Sequence, residues 1–147
     1  MSRTDARIRY TQGVLKQALV SFLQEKPINK ITVKEVCERA ELNRATFYAH
    51  YSDCFALLES IEEDLLEAFQ QSLKLVDSFD VTALIEAIYT MIEQQQEACR
   101  VLIFQNVCPN VLRRMISLAH DESIAYWRRS LRHITEAELE MLYTHLS

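Results

Sequence analysis

Glycine and proline are almost absent from this chain of 147 residues, which has a single glycine, Gly13, and two prolines, Pro27 and Pro109. Leu, Ala, Glu, Gln and Arg, which all favour helices, recur throughout. The composition therefore predicts an all-α fold. A loop that cradles nucleotide phosphates needs several glycines, and none cluster here. We therefore expect no nucleotide cofactor, and no enzyme either, since no Ser-His-Asp set is recognisable.

Long apolar runs are missing as well. No stretch approaches the roughly 20 apolar residues that a membrane helix needs, and residues 1–5 are not followed by the apolar core of a signal peptide. We therefore expect a cytoplasmic protein without a membrane partner.

Metal-binding patterns are also absent from the sequence. No Cys-x-x-Cys pair and no Cys/His cluster at zinc spacing is formed by the four cysteines, Cys37, Cys54, Cys99 and Cys108. A di-iron bundle would show a Glu three residues before a histidine, and a helical zinc protease would show a second histidine four residues away. Neither pattern is found at His120, His133 or His145. We expect reduced thiols and no metal site.

The charge is divided unevenly along the chain. Residues 1–52 carry 9 Lys and Arg against 5 Asp and Glu, a local net charge of +4, whereas residues 53–147 carry 7 against 16, or −9. Because the potential near a surface follows the local charge, only the first part suits a polyanion such as nucleic acid. Chance asymmetry is the plainer alternative.

The spacing of apolar residues predicts two helices in the first part. Apolar positions three or four apart indicate an amphipathic helix over 8–24, which Pro27 ends. A shorter helix is predicted over 33–40, with Thr32 as its N-cap and Glu35 completing a capping box.

A third, very short helix is predicted after a turn. Asn43 is a natural N-cap, and it opens the segment 44–51, in which Phe47 and Tyr51 share one face. Two short helices joined by a turn and braced by a longer preceding helix form a helix-turn-helix, here between Thr32 and Tyr51.

The rest of the chain is predicted to be helical too. Ser52 and Asp53 cap a long fourth helix that runs to about Val76 and could connect two modules. Beyond the connector 77–80, helices are predicted over about 81–98, 100–106, 110–132 and 135–147.

The outward face of the third helix has an unusual composition. If Phe47 and Tyr51 face the core, the residues left outside are Arg44, Ala45, Thr46, Tyr48 and His50. Every polar member of this set can donate a hydrogen bond to DNA. A merely solvated helix would more often show Glu, Lys and Gln, so the face favours DNA contact.

The segment 32–58, centred on AELNRATFYAHY at 40–51, resembles the DNA-binding signature of tetracycline-repressor-like (TetR/AcrR) regulators. The resemblance extends from the first helix to the start of the fourth. It implies a helix-turn-helix DNA-binding domain, 1–52, joined by the fourth helix to a helical regulatory and dimerisation bundle, 53–147. It further implies a transcriptional regulator, more often a repressor, that binds a palindromic operator as a homodimer and is released by a small-molecule effector.

The resemblance also implies a role for each residue of the motif. Base edges are contacted by Lys34, Arg44 and Ala45, since Arg can grip guanine with two hydrogen bonds and Ala can touch a thymine methyl. Phosphates are held by Thr46, Tyr48 and His50. Thr32 and Asn43 cap the two helices beside the DNA backbone.

Two positions depart from the family pattern. Glu41 stands where the turn commonly has glycine, so we expect a differently shaped turn, because a left-handed non-glycine residue costs about 1 kcal/mol or more. Cys54 stands where a lysine commonly reaches a phosphate. The N-terminus of a helix would lower the pKa of the Cys54 thiol, so one hypothesis is that Cys54 is a redox switch. The alternative is that cysteine simply replaces the lysine.

In the second part, aromatic and soft side chains are numerous enough to line an effector pocket, and the candidates are Tyr89, Phe104, Met115 and Trp127. Core positions are the plainer interpretation of such residues at helical spacing.

The segment 134–147 resembles the start of the family's penultimate helix, and the last two helices of the family normally form the dimer interface. We therefore expect an incomplete chain, a short variant or a dimer formed in another way. The alternative function is a helical protein-interaction module with nonspecific or vestigial DNA binding.

Overall fold

The computed structural model describes residues 2–74, 81–105, 107–131 and 135–146, and within these ranges every regular element is a helix. The helices are α1 Arg3–Leu23, α2 Val33–Arg39, α3 Arg44–Tyr48, α4 Cys54–Lys74, α5 Val81–Gln94, α6 Gln96–Cys99, α7 Pro109–Ser130 and α8 Glu136–Leu146. A 3-10 turn, Ile28–Lys30, precedes α2, and a π-helical turn, Arg100–Phe104, follows α6. The all-α prediction is confirmed, whereas the predicted connector 77–80 lies outside the described residues.

Helix α1 begins five residues earlier than the apolar spacing predicts. The side chain of Ser2 accepts a hydrogen bond from the backbone of Asp5, and the Asp5 carboxylate accepts one from the backbone of Ser2. This capping box starts the helix at Arg3. Periodicity did not reveal the extension, because every residue from 2 to 10 is exposed and no apolar face is formed there.

The predicted helices over 81–98 and 100–106 are divided differently in the structure. Helix α5 ends at Gln94, and α6 passes directly into the π-helical turn. Both Val101 and Leu102 in that turn are buried. The apolar spacing therefore revealed neither the end of α5 at Gln94 nor the π-helical turn that follows α6.

The chain forms two compact units, which divide it at positions other than residue 52. Unit 1 consists of Met1–Leu65 with Gln95–Cys108, and unit 2 consists of Leu66–Gln94 with Pro109–Ser147. Helix α4 contributes to both. The functional division into 1–52 and 53–147 stays a prediction.

The core of unit 1 joins the helix-turn-helix to its neighbours. Fully buried side chains come from α1, α2, α3 and α4, and they include Leu15, Leu19, Val36, Phe47 and Leu57. An ion pair between Lys16 of α1 and Asp64 of α4 adds a surface contact. The short helices are therefore held mainly by packing, since helices of this length have little stability alone.

In unit 2, α8 packs against α7. Trp127 and Ile124 of α7 form a buried cluster with Leu139 of α8. His120 of α7 approaches Glu140 of α8, with 3.2 Å between Nε2 and Oε1. The helix pair thus combines an apolar contact with a polar contact between histidine and glutamate at its edge.

Candidate nucleic-acid interface

The start of α2 is fixed by the predicted capping box. The backbone nitrogen of Glu35 donates to Oγ1 of Thr32 over 3.3 Å, and the Glu35 carboxylate accepts from the Thr32 backbone nitrogen over 2.9 Å. Nζ of Lys26 lies 2.6 Å from the same carboxylate. Hydrogen bonds from Lys26 and Thr32 lower the pKa of Glu35 to about 2. The Thr32 cap is confirmed, and the carboxylate of Glu35 stays ionised.

The turn between α2 and α3 retains a left-handed residue. Glu41 has a φ of 55°, the conformation for which glycine is favoured. The backbone nitrogen of Leu42 donates to the carbonyl of Cys37 over 2.9 Å and closes the end of α2. The expectation of a differently shaped turn is wrong at this position, because Glu41 adopts the strained conformation that glycine would take freely.

Asn43 caps α3, as predicted. Its Oδ1 atom accepts hydrogen bonds from the backbone nitrogen of Thr46, at 2.8 Å, and from the Thr46 hydroxyl, at 2.9 Å. The hydroxyl proton of Thr46 is therefore already donated. A phosphate oxygen can only accept, so Thr46 would have to break its bond to Asn43 before its hydroxyl could hold a phosphate.

The inner face of α3 is formed by aromatic rings. Phe47 is fully buried, and Tyr51, at 8% exposure, lies with its ring centroid 6.0 Å from that of Phe47. Within the described part of the chain, the buried hydroxyl of Tyr51 has no hydrogen-bond partner. The predicted inward direction of both residues is confirmed, and the Tyr51 hydroxyl is unsatisfied.

The outer face of α3 presents the predicted donors. Arg44 and Ala45 are exposed, and Tyr48 is 57% exposed with its ring packed edge-on against Phe47 at 5.5 Å. His50 follows the end of α3 and is half-buried. The contact with Phe47 fixes the Tyr48 ring on its side towards the core, and a large part of the ring remains accessible to a partner.

Lys34 lies on α2 and is exposed as well. Its Nζ atom is 3.8 Å from Oε1 of Glu38, one turn further along the helix. Such an exposed pair is weak, so the ammonium group remains available to a polyanion. Helices α2 and α3 contact each other within unit 1. The structure therefore brings the eight predicted DNA-contacting residues onto two adjacent helices and the turns that flank them.

Cys54 does not have the reactive thiol that the sequence suggested. The residue is only 4% exposed, and burial is the main reason why its pKa rises to about 11. The nearby negative charge of Asp53 raises the pKa further. The predicted lowering of the pKa is therefore wrong, because burial of the sulfur disfavours the charged thiolate.

The four candidate effector residues occupy different environments. Met115 and Trp127 are buried in unit 2, whereas Tyr89 and Phe104 are exposed. The ring of Trp127 packs against that of Tyr143, with 6.2 Å between their centroids. Trp127 thus belongs to the α7–α8 core. A pocket that uses all four residues stays a prediction.

The sequence interpretation missed one exposed basic face at the beginning of α1. Arg3, Arg7 and Tyr10 project from the beginning of α1, a segment that apolar spacing left outside the helix. Their separation by four and three residues was the available signal, since such positions share one side of a helix.

The described part of the chain offers neither a cluster of metal ligands nor a membrane-spanning helix. Over the described ranges, no three His, Cys, Asp or Glu side chains are grouped so that they could hold a metal ion. Among the same residues, no helix combines the length and the apolar character needed to cross a membrane.

The chain is similar to known transcriptional regulators. No protein-family profile matches it. It is 36% identical over 62 residues to an uncharacterized HTH-type transcriptional regulator, YxbF, of Bacillus subtilis, and the match covers 42% of this chain but only 16% of that relative. A solved TetR transcriptional regulator from Streptococcus agalactiae is 22% identical over 97% of this chain and 96% of its own, with a TM-score of 0.40.

Proposed function

We propose that this chain is a sequence-specific DNA-binding transcriptional regulator of the TetR/AcrR type. The observation that carries the proposal is the outer face of α3, where Arg44, Ala45 and Tyr48 are all exposed. The ring of Tyr48 is held in place by its contact with Phe47. An α-helix fits the major groove of DNA, and these side chains match base edges and phosphates. The similarity to an HTH-type regulator supports the proposal.

The residues of the interface divide their work by chemistry. We propose that Arg44, Ala45 and Lys34 contact base edges, because they project from the exposed sides of the two short helices. Phosphate contacts are assigned to Tyr48 and His50, and to Thr46 once its hydroxyl exchanges its bond to Asn43 for one to phosphate. Thr32 and Asn43 hold the helix ends beside the DNA backbone. The cap that Asn43 forms on α3 supports this division, since it orients the first turn, from which Arg44 projects.

The regulatory part of the proposal rests on the resemblance. We infer a homodimer that places two copies of α3 in successive major grooves of a palindromic operator in the cytoplasm. Repression would end when a small-molecule effector changes the spacing of the two recognition helices. By linkage, that effector must bind the DNA complex less tightly than the free protein.

Selection of bound sequences from a random DNA pool tests the proposal. We expect an enriched motif with two half-sites related by two-fold symmetry and separated by about 10 base pairs, one helical turn. Sedimentation of the chain with and without the selected duplex would measure how many copies bind. A pool that remains random after repeated selection would refute sequence-specific binding.

The second candidate function is a protein-interaction module. The observation that favours it is the set of exposed apolar side chains on α5 and α7, namely Ile85, Tyr89, Leu112 and Ile116. The two residues on each helix are four positions apart and share one face, and contiguous exposed apolar surface commonly marks a site where a partner binds. This candidate predicts a flat response to DNA sequence, so the same selection experiment separates the two functions.

A further inference from the structure

The first two turns of α1 extend beyond the packed part of unit 1. Every residue from Ser2 to Tyr10 is exposed, and Thr11 is the first buried position of the helix. At a rise of about 1.5 Å per residue, the helical stretch from Arg3 to Tyr10 is about 12 Å long. Its conformation depends on the capping box and on continuity with the buried part of α1, since burial contributes little there.

One face of this extension carries several hydrogen-bond donors. Arg3, Arg7 and Tyr10 are four and three residues apart and therefore lie on the same side of the helix. Tyr10 is 72% exposed, a high value for a large ring that could have been packed. Asp5 lies on the opposite side, and its carboxylate accepts a hydrogen bond from the Ser2 backbone at 3.1 Å. The face thus presents two guanidinium groups and a phenol without an acidic neighbour in its own row.

The chemistry of this face matches that of the DNA-contacting face of α3. Arg44 and Tyr48 are also four residues apart and also exposed. Guanidinium groups form strong, often bidentate hydrogen bonds with phosphate, and a tyrosine hydroxyl can donate to it as well. Both helices belong to unit 1, and residues 1–52 have a net charge of +4. A polyanion is therefore the partner that charge complementarity selects.

We propose that the α1 extension, through Arg3, Arg7 and Tyr10, binds DNA phosphates that flank the base pairs contacted by α3. The inference rests on the proposed function and adds a second contact surface to it. At about 3.4 Å per base pair, an extension of about 12 Å spans 3 to 4 base pairs of duplex. Because phosphates carry no sequence information, the extension strengthens binding to every sequence equally.

The test uses the full chain with a double substitution, Arg3→Ala with Arg7→Ala. The matched control is Arg113→Ala with Arg129→Ala, which removes the same charge from exposed positions on α7. Three duplexes serve as probes: one selected by the wild-type chain from a random pool, one of shuffled sequence, and the selected one shortened by about 4 base pairs at each end, the span estimated for the extension. Affinity is measured by fluorescence anisotropy over a series of salt concentrations.

Log affinity falls as log salt rises, and we expect this fall to be less steep by about 1.8 in the Arg3/Arg7 variant. That is about 0.9 for each phosphate that the protein no longer neutralises. The wild-type advantage over this variant should then shrink about twelvefold over a fourfold rise in salt concentration. The loss should be equal on selected and shuffled duplexes and should disappear on the shortened one, and the control variant should match the wild type. Thermal unfolding should be unchanged, because the substituted residues are exposed.

Two results would overturn the inference alone. One is a variant that binds DNA like the control, and the other is a variant with unchanged DNA binding but altered sedimentation, which would assign the face to a second copy of the chain. If the wild-type chain binds none of the duplexes, the proposed function fails as well. The two failures are therefore distinguishable by the wild-type measurement.

Discussion

Oδ1 of Asn43 lies 2.8 Å from the backbone nitrogen of Thr46 and 2.9 Å from its hydroxyl. The side chain of Asn43 therefore caps α3 and also binds the hydroxyl that is predicted to contact a DNA phosphate. Helix α3 has only five residues, from Arg44 to Tyr48, and its first turn is a large part of its length. The geometry of the outer face therefore depends on this cap.

Asn43→Ala should lower the free energy of unfolding by about 1 kcal/mol, because the variant cannot cap α3. Asn43→Asp should retain most of the stability, since a carboxylate oxygen can accept the same bond. Urea denaturation followed by circular dichroism measures both variants. Equal losses for the two variants would show that the cap does not contribute in this way.

Glu41→Gly should raise the free energy of unfolding by about 1 kcal/mol, because glycine adopts the left-handed conformation without the steric penalty that glutamate incurs at a φ of 55°. Glu41→Ala is the control, and it should bring no comparable gain because alanine keeps the Cβ atom. The same denaturation experiment applies. A gain shared by alanine would point to the removed charge instead.

Tyr51→Phe should also stabilise the protein, by about 1 kcal/mol, because it removes a buried hydroxyl that has no partner among the described residues. Tyr10→Phe, which removes an exposed hydroxyl, should leave stability unchanged. Thermal unfolding compares the two variants. A less stable Tyr51→Phe variant would mean that this hydroxyl makes a favourable bond.

The contact between α7 and α8 should respond to pH. Hydrogen bonding to Asp121 and then to Glu140 raises the pKa of His120, whose ring also meets the Tyr143 ring edge-on at 4.6 Å. A raised folded-state pKa gives a stabilisation that is fully present below the unfolded-state pKa and is lost as pH rises through the folded value. The free energy of unfolding should therefore fall as the pH rises from below the unfolded-state pKa of histidine to above the raised folded-state pKa of His120.

His120→Gln should remove that decline, which unfolding measurements across the neutral range would detect as the difference from the wild type. Glu140→Gln should reduce it in part, because Asp121 remains. If His120→Gln keeps the full decline, other groups cause it.

Arg44→Ala should reduce discrimination at one base pair of the operator by about 1 to 3 kcal/mol. Tyr48→Phe should weaken matched and shuffled duplexes alike, because a phosphate contact is sequence-independent. Binding measured on both duplexes distinguishes the two roles, with Arg129→Ala as the control. Equal losses on both duplexes for Arg44→Ala would contradict its base-reading role.

Much of the local structure was predictable because its causes lie within a few residues. Thr32 caps α2 through Glu35, and Asn43 caps α3 through Thr46, each three positions along the chain. The inward direction of Phe47 and Tyr51 followed from their spacing of four residues. The start of α1 was missed although the capping box of Ser2 and Asp5 is equally local, because apolar spacing was used to place the helix and this part of α1 has no buried face.

The environment of Cys54 was not predictable from its neighbours in sequence. Its position at the start of α4 suggested an activated thiol, whereas packing within unit 1 buries the sulfur and raises its pKa.

The amino-acid sequence by itself determined the helical class, the caps and the set of donors on the outer face of α3, because these depend on composition and on short-range hydrogen bonds. Only the tertiary structure decided which of these groups remain accessible. Burial raises the pKa of the Cys54 thiol, and the basic beginning of α1 is left outside the core. Burial and solvent exposure arise from contacts between distant parts of the chain, which no local pattern contains.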